Sequence, residues 1–288
     1  MIIKPSERTE NFGKLRRGEI KREALTTGFE SLDDFMKLSK GYLMVGTGYP
    51  SSGKSEFLDA ILENMALQYG WKSLYYSPEN HPVEEHMVKL SERYIGTRFQ
   101  RFEQEDQKKS LDFLEEHFAW LYPKEPYLET LLDLAQEHKD KDGLDALVID
   151  PWNAVYHNRG NNTMLHEYLS EALTKVIRFG RDNNVLMCVI AHPKIPQKDR
   201  QGNIPVPNLY DISDGAMWRN KSDYGFVVHR PDMDRITGNW VQVYINKVKY
   251  KWMGSVGMAE FDYDRDSGRF AERGINKFYM PHETPPPF

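Results

Sequence analysis

The stretch GTGYPSSGKSEF, residues 46–57, decides the fold of this 288-residue chain. It contains the pattern Gly-x-x-x-x-Gly-Lys-Ser, from Gly48 to Ser55, between a short apolar run and a helical pattern. Glycines at these positions let backbone N–H groups turn inward around phosphates, and the positive end of the following helix faces the same point. The alternative is a glycine-rich turn that happens to contain Lys-Ser, but the flanking strand and helix favour a phosphate-binding loop.

The segments around this loop predict alternating strands and helices. The apolar run 42–48 predicts a buried strand, and residues 53–70 carry apolar side chains at helical spacing up to a glycine. Further segments are predicted as strands at 72–79, 144–153 and 185–193, as helices at 83–96, 105–121, 127–140 and 166–184, and as late strands at 223–231, 239–250 and 258–272. This order predicts one α/β domain with a mainly parallel central sheet and antiparallel strands at its C-terminal end. We expect an arm at 1–25, the domain at 26–275 and a loose tail at 276–288.

Composition excludes several classes of protein. Of the residues, 40% are hydrophobic and 28% are charged, and no apolar run approaches the roughly 18 residues of a membrane helix. The N-terminal stretch lacks the apolar segment of a secretory signal. The single cysteine, Cys188, lies in the apolar run VLMCVIAH and is expected to be an inert core residue, so no disulfide or cysteine metal site is predicted. A cytoplasmic location is the simplest expectation. The net charge of −5 excludes an overall basic surface, so any nucleic-acid contact must be local.

Polar residues follow three of the predicted strands. Asp150 follows ALVI, where a carboxylate together with Ser55 would hold Mg²⁺; a strand-end cap is the alternative. Glu79 ends the strand after the loop helix and could act as a general base, unless it is a surface acid. His192 ends VLMCVIA and could sense the terminal phosphate, unless it only closes the edge of the core. Lys54 would reach the outer phosphates.

The ordered set of motifs resembles a known family. TGFESLDDFM, GYPSSGKS, the strand ending in Glu79, LVIDPWN, VIAHP, YDISDGAMWRNKSD and INKVKYKWMGSVG are similar, in this order, to the RecA-like ATPase domain of DnaB/Twinkle hexameric replicative helicases. The resemblance covers about residues 24–272. It implies a ring of six subunits with ATP between neighbours and single-stranded DNA through the centre. It also implies ATP or another nucleoside triphosphate with Mg²⁺ as the ligands, and a primase domain or protein as a further partner, with no membrane role.

The resemblance assigns roles to individual residues. Glu79 would be the catalytic base and His192 the phosphate sensor. The residues around the nucleotide and its Mg²⁺ would be Gly48, Ser51, Ser52, Gly53, Lys54, Ser55, Glu56, Asp150 and Lys247. The DNA-contacting residues would be Lys194, Lys198, Arg200, Ser213, Asp214 and Gly215.

These DNA residues fall in a proline-rich stretch, 194–216. Its prolines and Gly202 exclude a regular helix or inner strand, and its cations supply local positive charge in an acidic chain. A solvated surface loop is the alternative, although loops beyond roughly 15 residues are uncommon unless they are functional or disordered.

One stretch departs from the family pattern. The family has Lys-x-Arg before a glycine-rich hairpin, and its arginine acts on the ATP of a neighbouring subunit. Here Lys247 matches the lysine and Lys249 stands where the arginine would be. Lysine is a point charge that cannot bridge two phosphate oxygens as arginine does. Either Lys249 acts less well, or Lys251 or an arginine elsewhere substitutes, or the lysines simply face water.

Three functions remain to be weighed. The first is an ATP-driven single-stranded-DNA translocase that unwinds DNA as a replicative helicase. The second is a RecA-like ATPase regulated by DNA or protein, without helicase activity. The third is a binding module in which nucleotide only holds an oligomer together, which the predicted base Glu79 disfavours. The basic arm, 14–25, is expected either to form a helix that docks on the next subunit or to stay disordered.

Overall fold

A central sheet organises the chain. The computed structural model describes residues 2–157, 165–194, 204–213, 215–231 and 238–273. Within these ranges the strands are β1 (Leu43–Thr47), β2 (Ser73–Tyr76), β3 (Phe118–Trp120), β4 (Ala146–Ile149), β5 (Leu186–Ile190), β6 (Tyr224–His229), β7 (Trp240–Val248), β8 (Gly257–Tyr263) and β9 (Phe270–Glu272). They lie in the order β3-β2-β4-β5-β1-β6-β7-β8-β9. The first six strands of this order are parallel and the pairs from β6 to β9 are antiparallel, so the predicted fold class is confirmed.

Helices cover both faces of the sheet. They are α1 (Thr9–Arg17), α2 (Glu30–Asp33), α3 (Lys54–Tyr69), α4 (Val83–Ile95), α5 (Gln104–His117), α6 (Leu128–Asp142), α7 (Leu165–Asn183) and α8 (Gly215–Lys221). Short 3₁₀ helices span Pro5–Arg8, Phe99–Arg101, Trp152–Ala154 and Leu209–Asp211. Successive side chains of a strand point to opposite faces of the sheet. Cys188 therefore lies in the core between the sheet and α3 to α5, whereas Met187 and Val189 lie in the core between the sheet and α6 to α8. Cys188 is buried, as predicted.

Two predicted helices have different bounds in the structure. The helix predicted over 105–121 ends at His117, and the prediction for its last residues is wrong: Phe118–Trp120 form β3 instead. These three residues pair with β2 at the edge of the sheet, and this tertiary pairing overrides the local helical pattern.

The arm contains a helix at a different place. For the basic arm, 14–25, a helix and a disordered segment were the two alternatives, and the helix is right only for its first residues. The helix α1 spans Thr9–Arg17, and Gly18 after it has a left-handed conformation (φ 74°). The amide of Gly18 bonds carbonyls of the last helical turn, so the chain turns away there. The predicted tail, 276–288, lies outside the described residues.

A buried ion cluster joins α3 to α4. The guanidinium of Arg93 donates to Glu56 at 2.6 Å, to Glu63 at 2.8 Å and to the carbonyl of Gly268 at 2.9 Å. The side chains of Arg93 and Glu63 are 5% and 4% exposed. Arg269 in turn donates to the carbonyl of Arg93 at 2.8 Å. Because each buried charge faces an opposite one, the cluster fixes the position of the helix that starts at the phosphate-binding loop.

Replacing Arg93 with methionine should destabilise the fold strongly. The change leaves Glu63 buried without its cation, which costs about 3–5 kcal/mol of the free energy of unfolding. Burial raises the pKa of Glu63 even beside Arg93. The charge of Arg93 lowers that pKa, so removing Arg93 raises it further. The folded variant must then take up a proton, which costs more free energy at high pH, so the deficit should be smaller at about pH 5 than at about pH 8.

Urea unfolding of Arg93→Met against Arg98→Met measures this. Arg98 pairs with Asp266 on the surface, where both side chains are about half exposed, so its loss should cost less than about 1 kcal/mol. Equal losses in the two variants would contradict a structural role for the cluster.

Candidate functional site

The loop after β1 has the backbone of a phosphate cradle. Gly48 has φ 152°, and a Cβ there would meet the carbonyl oxygen of Val228 at 2.4 Å, so only glycine fits. Ser51 and Gly53 have φ of 61° and 91°, which turns successive amides inward. The hydroxyl of Ser52 is buried and has no hydrogen-bond partner in the described part of the chain. A buried polar atom without a partner is rare, and an anion in the loop would supply one.

Lys54 begins α3 and faces into the loop. It is 6% exposed, and its ammonium donates to the carbonyl of Tyr49 at 3.1 Å. Burial lowers the pKa of Lys54, while the nearby carboxylates of Asp150 and Glu79 raise it. The structure therefore brings the predicted phosphate lysine and both predicted acids within electrostatic reach of one another.

Asp150 lies at the carboxyl end of β4. It is 4% exposed, and its backbone N–H donates to the carbonyl of Tyr76 at 2.9 Å, which fixes it beside β2. Burial raises the pKa of this carboxyl to about 6, while a hydrogen bond from Ser55 lowers it. A carboxylate and a hydroxyl oxygen side by side suit Mg²⁺, which binds proteins through few oxygens and keeps several waters.

Glu79 and His192 meet across the crevice. The Oε1 of Glu79 lies 3.6 Å from the Nε2 of His192, and the Glu79 side chain is 60% exposed. The Nδ1 of His192 is buried and has no partner among the described residues. The two strand-end residues predicted from the sequence thus lie together, with Glu79 open to solvent where a water molecule could be activated.

Two other predicted residues are engaged elsewhere. Glu56 belongs to the ion cluster of Arg93. Lys247 donates to the backbone carbonyls of Arg219 and Asn220, and burial lowers its pKa.

Lys249 is held by a residue of the same chain. Its ammonium lies 2.6 Å from the Oδ1 of Asp223, whose side chain is fully buried. The other oxygen of Asp223 accepts the backbone N–H of Leu43 at 3.0 Å. The sequence analysis assigned no role to Asp223. Its position directly before the apolar strand β6 is the feature of the sequence that could have indicated one.

Three of the residues assigned to DNA are in the described part of the chain, after β5: Lys194, Ser213 and Gly215. Lys194 is exposed, and its backbone N–H donates to the carbonyl of Asp211 at 2.8 Å. Ser213 is exposed, whereas Gly215 is the buried first residue of α8. Lys198, Arg200 and Asp214 lie outside the described residues.

A buried polar chain behind the loop was also not predicted from the sequence. Trp120 donates its indole N–H to the Nδ1 of His86 at 3.0 Å, so this nitrogen is an acceptor and the Nε2 of His86 donates to Asp59 at 3.1 Å. Asp59 lies one helical turn after Ser55, and its charge raises the pKa of Asp150. The signal in the sequence was the spacing of four residues between Ser55 and Asp59, which places both side chains on one face of α3.

Two kinds of feature are absent from the described ranges. They contain no helix long and apolar enough to cross a membrane. They also contain no group of three or more metal-binding His, Cys, Asp or Glu side chains.

Replacing Glu79 with glutamine tests its role as the base. The variant keeps size and hydrogen bonding but cannot accept a proton, so ATP turnover should fall about 10²- to 10⁴-fold while ATP binding stays unchanged. Glu85→Gln, an exposed acid in the first turn of α4, is the matched control. Turnover in Glu79→Gln equal to that of the control would remove Glu79 from the site.

Comparison with solved structures supports the fold. The chain matches a solved ATPase domain with a TM-score of 0.70 and 17% identity, over 92% of this chain and 96% of that one. It matches a DnaB-like replicative helicase, described with its interactions with primase, with a TM-score of 0.73 and 16% identity, over 94% and 67%.

Comparison with known sequences supplies the family. A Twinkle homolog protein, chloroplastic/mitochondrial, from Arabidopsis thaliana is 36% identical over 265 residues, which are 87% of this chain and 37% of that protein. A probable plasmid replicative DNA helicase from Chlamydia psittaci is 24% identical over 260 residues, covering 86% and 55%. The chain thus spans between about a third and just over half of these relatives. The family model of the DnaB-like helicase C terminal domain matches residues 24–272, and the chain belongs to that family.

Proposed function

We propose that this chain is the motor domain of a replicative DNA helicase, which hydrolyses ATP to move along single-stranded DNA as a ring of six subunits. The observation that carries the proposal is the convergence of Lys54, Asp150 and Glu79 at the carboxyl edge of the sheet, beside a loop whose buried Ser52 hydroxyl is unpartnered among the described residues. A protein that only binds nucleotide has no need of a solvent-exposed carboxylate at this place. The names of the curated relatives support a helicase.

The residues of the loop fit a nucleoside triphosphate. The amides around Ser51 and Gly53 and the ammonium of Lys54 are donors and positive charges for phosphate oxygens. Ser55 and Asp150 would hold Mg²⁺, which supplies charge neutralisation on the phosphates when it is bound. Asp150 must be ionised for this purpose, and its position beside Lys54 favours that form.

Glu79 and His192 would then link hydrolysis to movement. Glu79 takes the proton of the attacking water, and His192 contacts both Glu79 and the strand end that leads to the DNA-binding stretch. Only Pro193 separates His192 from Lys194, and Pro193 forms a bridge with Ile212 on the returning side of that stretch. A shift of His192 therefore transmits directly to the base of the DNA-binding stretch.

A DNA-dependent rate of hydrolysis tests this proposal. Turnover by the full 288-residue chain should rise when single-stranded DNA is added and fall again with added salt, because phosphate contacts release counterions. Lys54→Ala, which lacks the phosphate cation, is the blank. Turnover that is indifferent to DNA would contradict a translocase and favour a protein-regulated ATPase.

The cation that acts on a neighbour's ATP is a separate question. Lys249, the first candidate, is held by Asp223, and Lys247 is held by backbone carbonyls. Lys251 is exposed, and no salt bridge or hydrogen bond of the described residues engages its ammonium. Lys251 is therefore the lysine of this stretch that is free to reach another subunit. A primase partner is proposed on family likeness alone.

Alanine at Lys251 and at Lys249 should have different effects. Lys251→Ala should lower DNA-stimulated turnover by roughly 10²-fold without changing the melting temperature, a smaller effect than the roughly 10³-fold or more of an arginine in this role. Lys249→Ala should lower the melting temperature, because Asp223 loses its partner.

Mixing experiments separate action within a subunit from action between subunits. Lys251→Ala subunits should recover part of their turnover when they are mixed with Glu79→Gln subunits, since a Glu79→Gln neighbour supplies the Lys251 that their intact ATP sites lack. Normal turnover by Lys251→Ala alone would show that another cation has this role.

A further inference from the structure

Tyr49 joins the phosphate-binding loop to a segment that is far away in the sequence. It follows Gly48 in the loop, and its side chain is partly buried. Its hydroxyl donates to the carbonyl oxygen of Pro205 at 3.1 Å. Pro205 belongs to the proline-rich stretch, 194–216, that we propose binds DNA. One hydrogen bond therefore connects the loop that would hold phosphate with the stretch that would hold DNA.

The backbone of Tyr49 is bonded inside the phosphate-binding loop. Its carbonyl oxygen accepts the amide N–H of Ser52 at 3.1 Å and the ammonium of Lys54 at 3.1 Å. Ser52 and Lys54 are among the residues to which we assign phosphate contacts. An ammonium has three donors, so Lys54 can keep its bond to Tyr49 while it donates to phosphate oxygens. The position of Tyr49 thus depends on the same backbone that would surround the phosphates.

The segment that Tyr49 contacts is well anchored. We call residues 204–212 the returning segment. Leu209 is fully buried in the core beside α7 and α8, and the backbone N–H of Asn208 donates to the carboxylate of Asp211 at 2.7 Å. The carbonyl of Asp211 accepts the backbone N–H of Lys194 at 2.8 Å. The returning segment therefore links Pro205 to Lys194, the first cation of the stretch.

This connection is separate from the one through His192. The chain runs from His192 through Pro193 to Lys194, so that path enters the stretch at its first residue and begins beside the proposed base. The path through Tyr49 enters at Pro205, on the returning side, and begins in the phosphate-binding loop. The stretch is thus attached to two different parts of the proposed ATP site.

We propose that Tyr49 is a positioning residue that couples the binding of nucleotide to the binding of DNA. This inference rests on the proposed function, because it requires that the chain bind both ligands. Phosphate held by the amides of the loop would fix the backbone at Tyr49, and its hydroxyl would then hold the returning segment where Lys194 meets the DNA. Nucleotide should therefore raise the affinity for single-stranded DNA, and by linkage DNA should raise the affinity for nucleotide by the same factor.

The test measures the DNA affinity of the full chain with and without nucleotide. Labelled oligothymidylate is titrated with the wild-type chain and with Tyr49→Phe in Mg²⁺ buffer, with and without AMP-PNP, a non-hydrolysable ATP analogue, and binding is followed by anisotropy. The ratio of the two dissociation constants measures the coupling. Tyr49→Phe keeps the ring and removes the hydroxyl that donates to Pro205. The ratio should therefore fall roughly 2- to 12-fold, which corresponds to the net contribution of one hydrogen bond.

Tyr210→Phe is the matched control. Tyr210 is an exposed tyrosine of the returning segment, and its ring lies 5.1 Å from the guanidinium carbon of Arg219. The variant keeps the ring and loses only a hydroxyl, so its ratio should equal that of the wild type. The reciprocal titration, AMP-PNP affinity with and without oligothymidylate, should show the same fall for Tyr49→Phe as the DNA titration.

The outcomes distinguish this inference from the proposed function. An equal loss of DNA affinity in Tyr49→Phe with and without AMP-PNP would make Tyr49 a static support and overturn the coupling. A wild-type ratio of one, or the same fall in Tyr210→Phe, would also overturn it, while DNA-stimulated turnover would leave the translocase intact. A fall confined to Tyr49→Phe, without any stimulation of turnover by DNA, would support the coupling and overturn the translocase. Absence of DNA binding under both conditions would overturn both.

Discussion

The parallel alignment of β1, β2, β4 and β5 is the constraint on which the site depends. Parallel strands must all end at one edge, and each pair here is held in register by backbone hydrogen bonds along buried, apolar segments. The residues that follow these strands are therefore brought together although they are far apart in sequence. Gly48, Glu79, Asp150 and His192 share one crevice for this reason. Burial of the strands on both faces stabilises the sheet, and the polar residues follow the strands at their carboxyl ends.

This constraint explains how much of the site the sequence could predict. A buried strand and the polar residue after it are both readable from an apolar run, so Glu79, Asp150 and His192 could be placed without coordinates. Lys54 and Ser52 could also be predicted from the sequence, because the glycine spacing of their loop has a steric cause. At Gly48 the backbone of β6 leaves no room for a Cβ. The same reasoning predicted the class of the fold and the strand that contains Cys188.

The sequence was less informative where long-range partners decide the outcome. Phe118 follows a helix with no break in the apolar spacing, and only the exposed edge of β2 explains why it begins a strand. Lys247 and Lys249 are two residues apart, as lysines that face solvent from one side of a strand would be. Yet Lys247 is held by backbone carbonyls and Lys249 by Asp223, and these partners are distant in sequence. Glu56 stands next to Ser55 in the loop motif, but its side chain pairs with Arg93. For the lysines and for Glu56, the charge was visible in the sequence and its partner was not.

The buried charges behind the loop have a mechanical consequence. Arg93 and the pair His86–Asp59 tie α3 to α4 through directional bonds, so the helix that begins at Lys54 is held against a second helix as well as against the sheet. On the opposite side of the crevice, His192 has one loose contact at 3.6 Å and a nitrogen without a partner among the described residues. The proposed ATP site thus has one wall that is tied down by buried ion pairs and another, at His192, that has few directional bonds and leads through Pro193 toward the stretch proposed to bind DNA. In the motor that we propose, a change at the phosphate would be transmitted through the side that has fewer bonds to break.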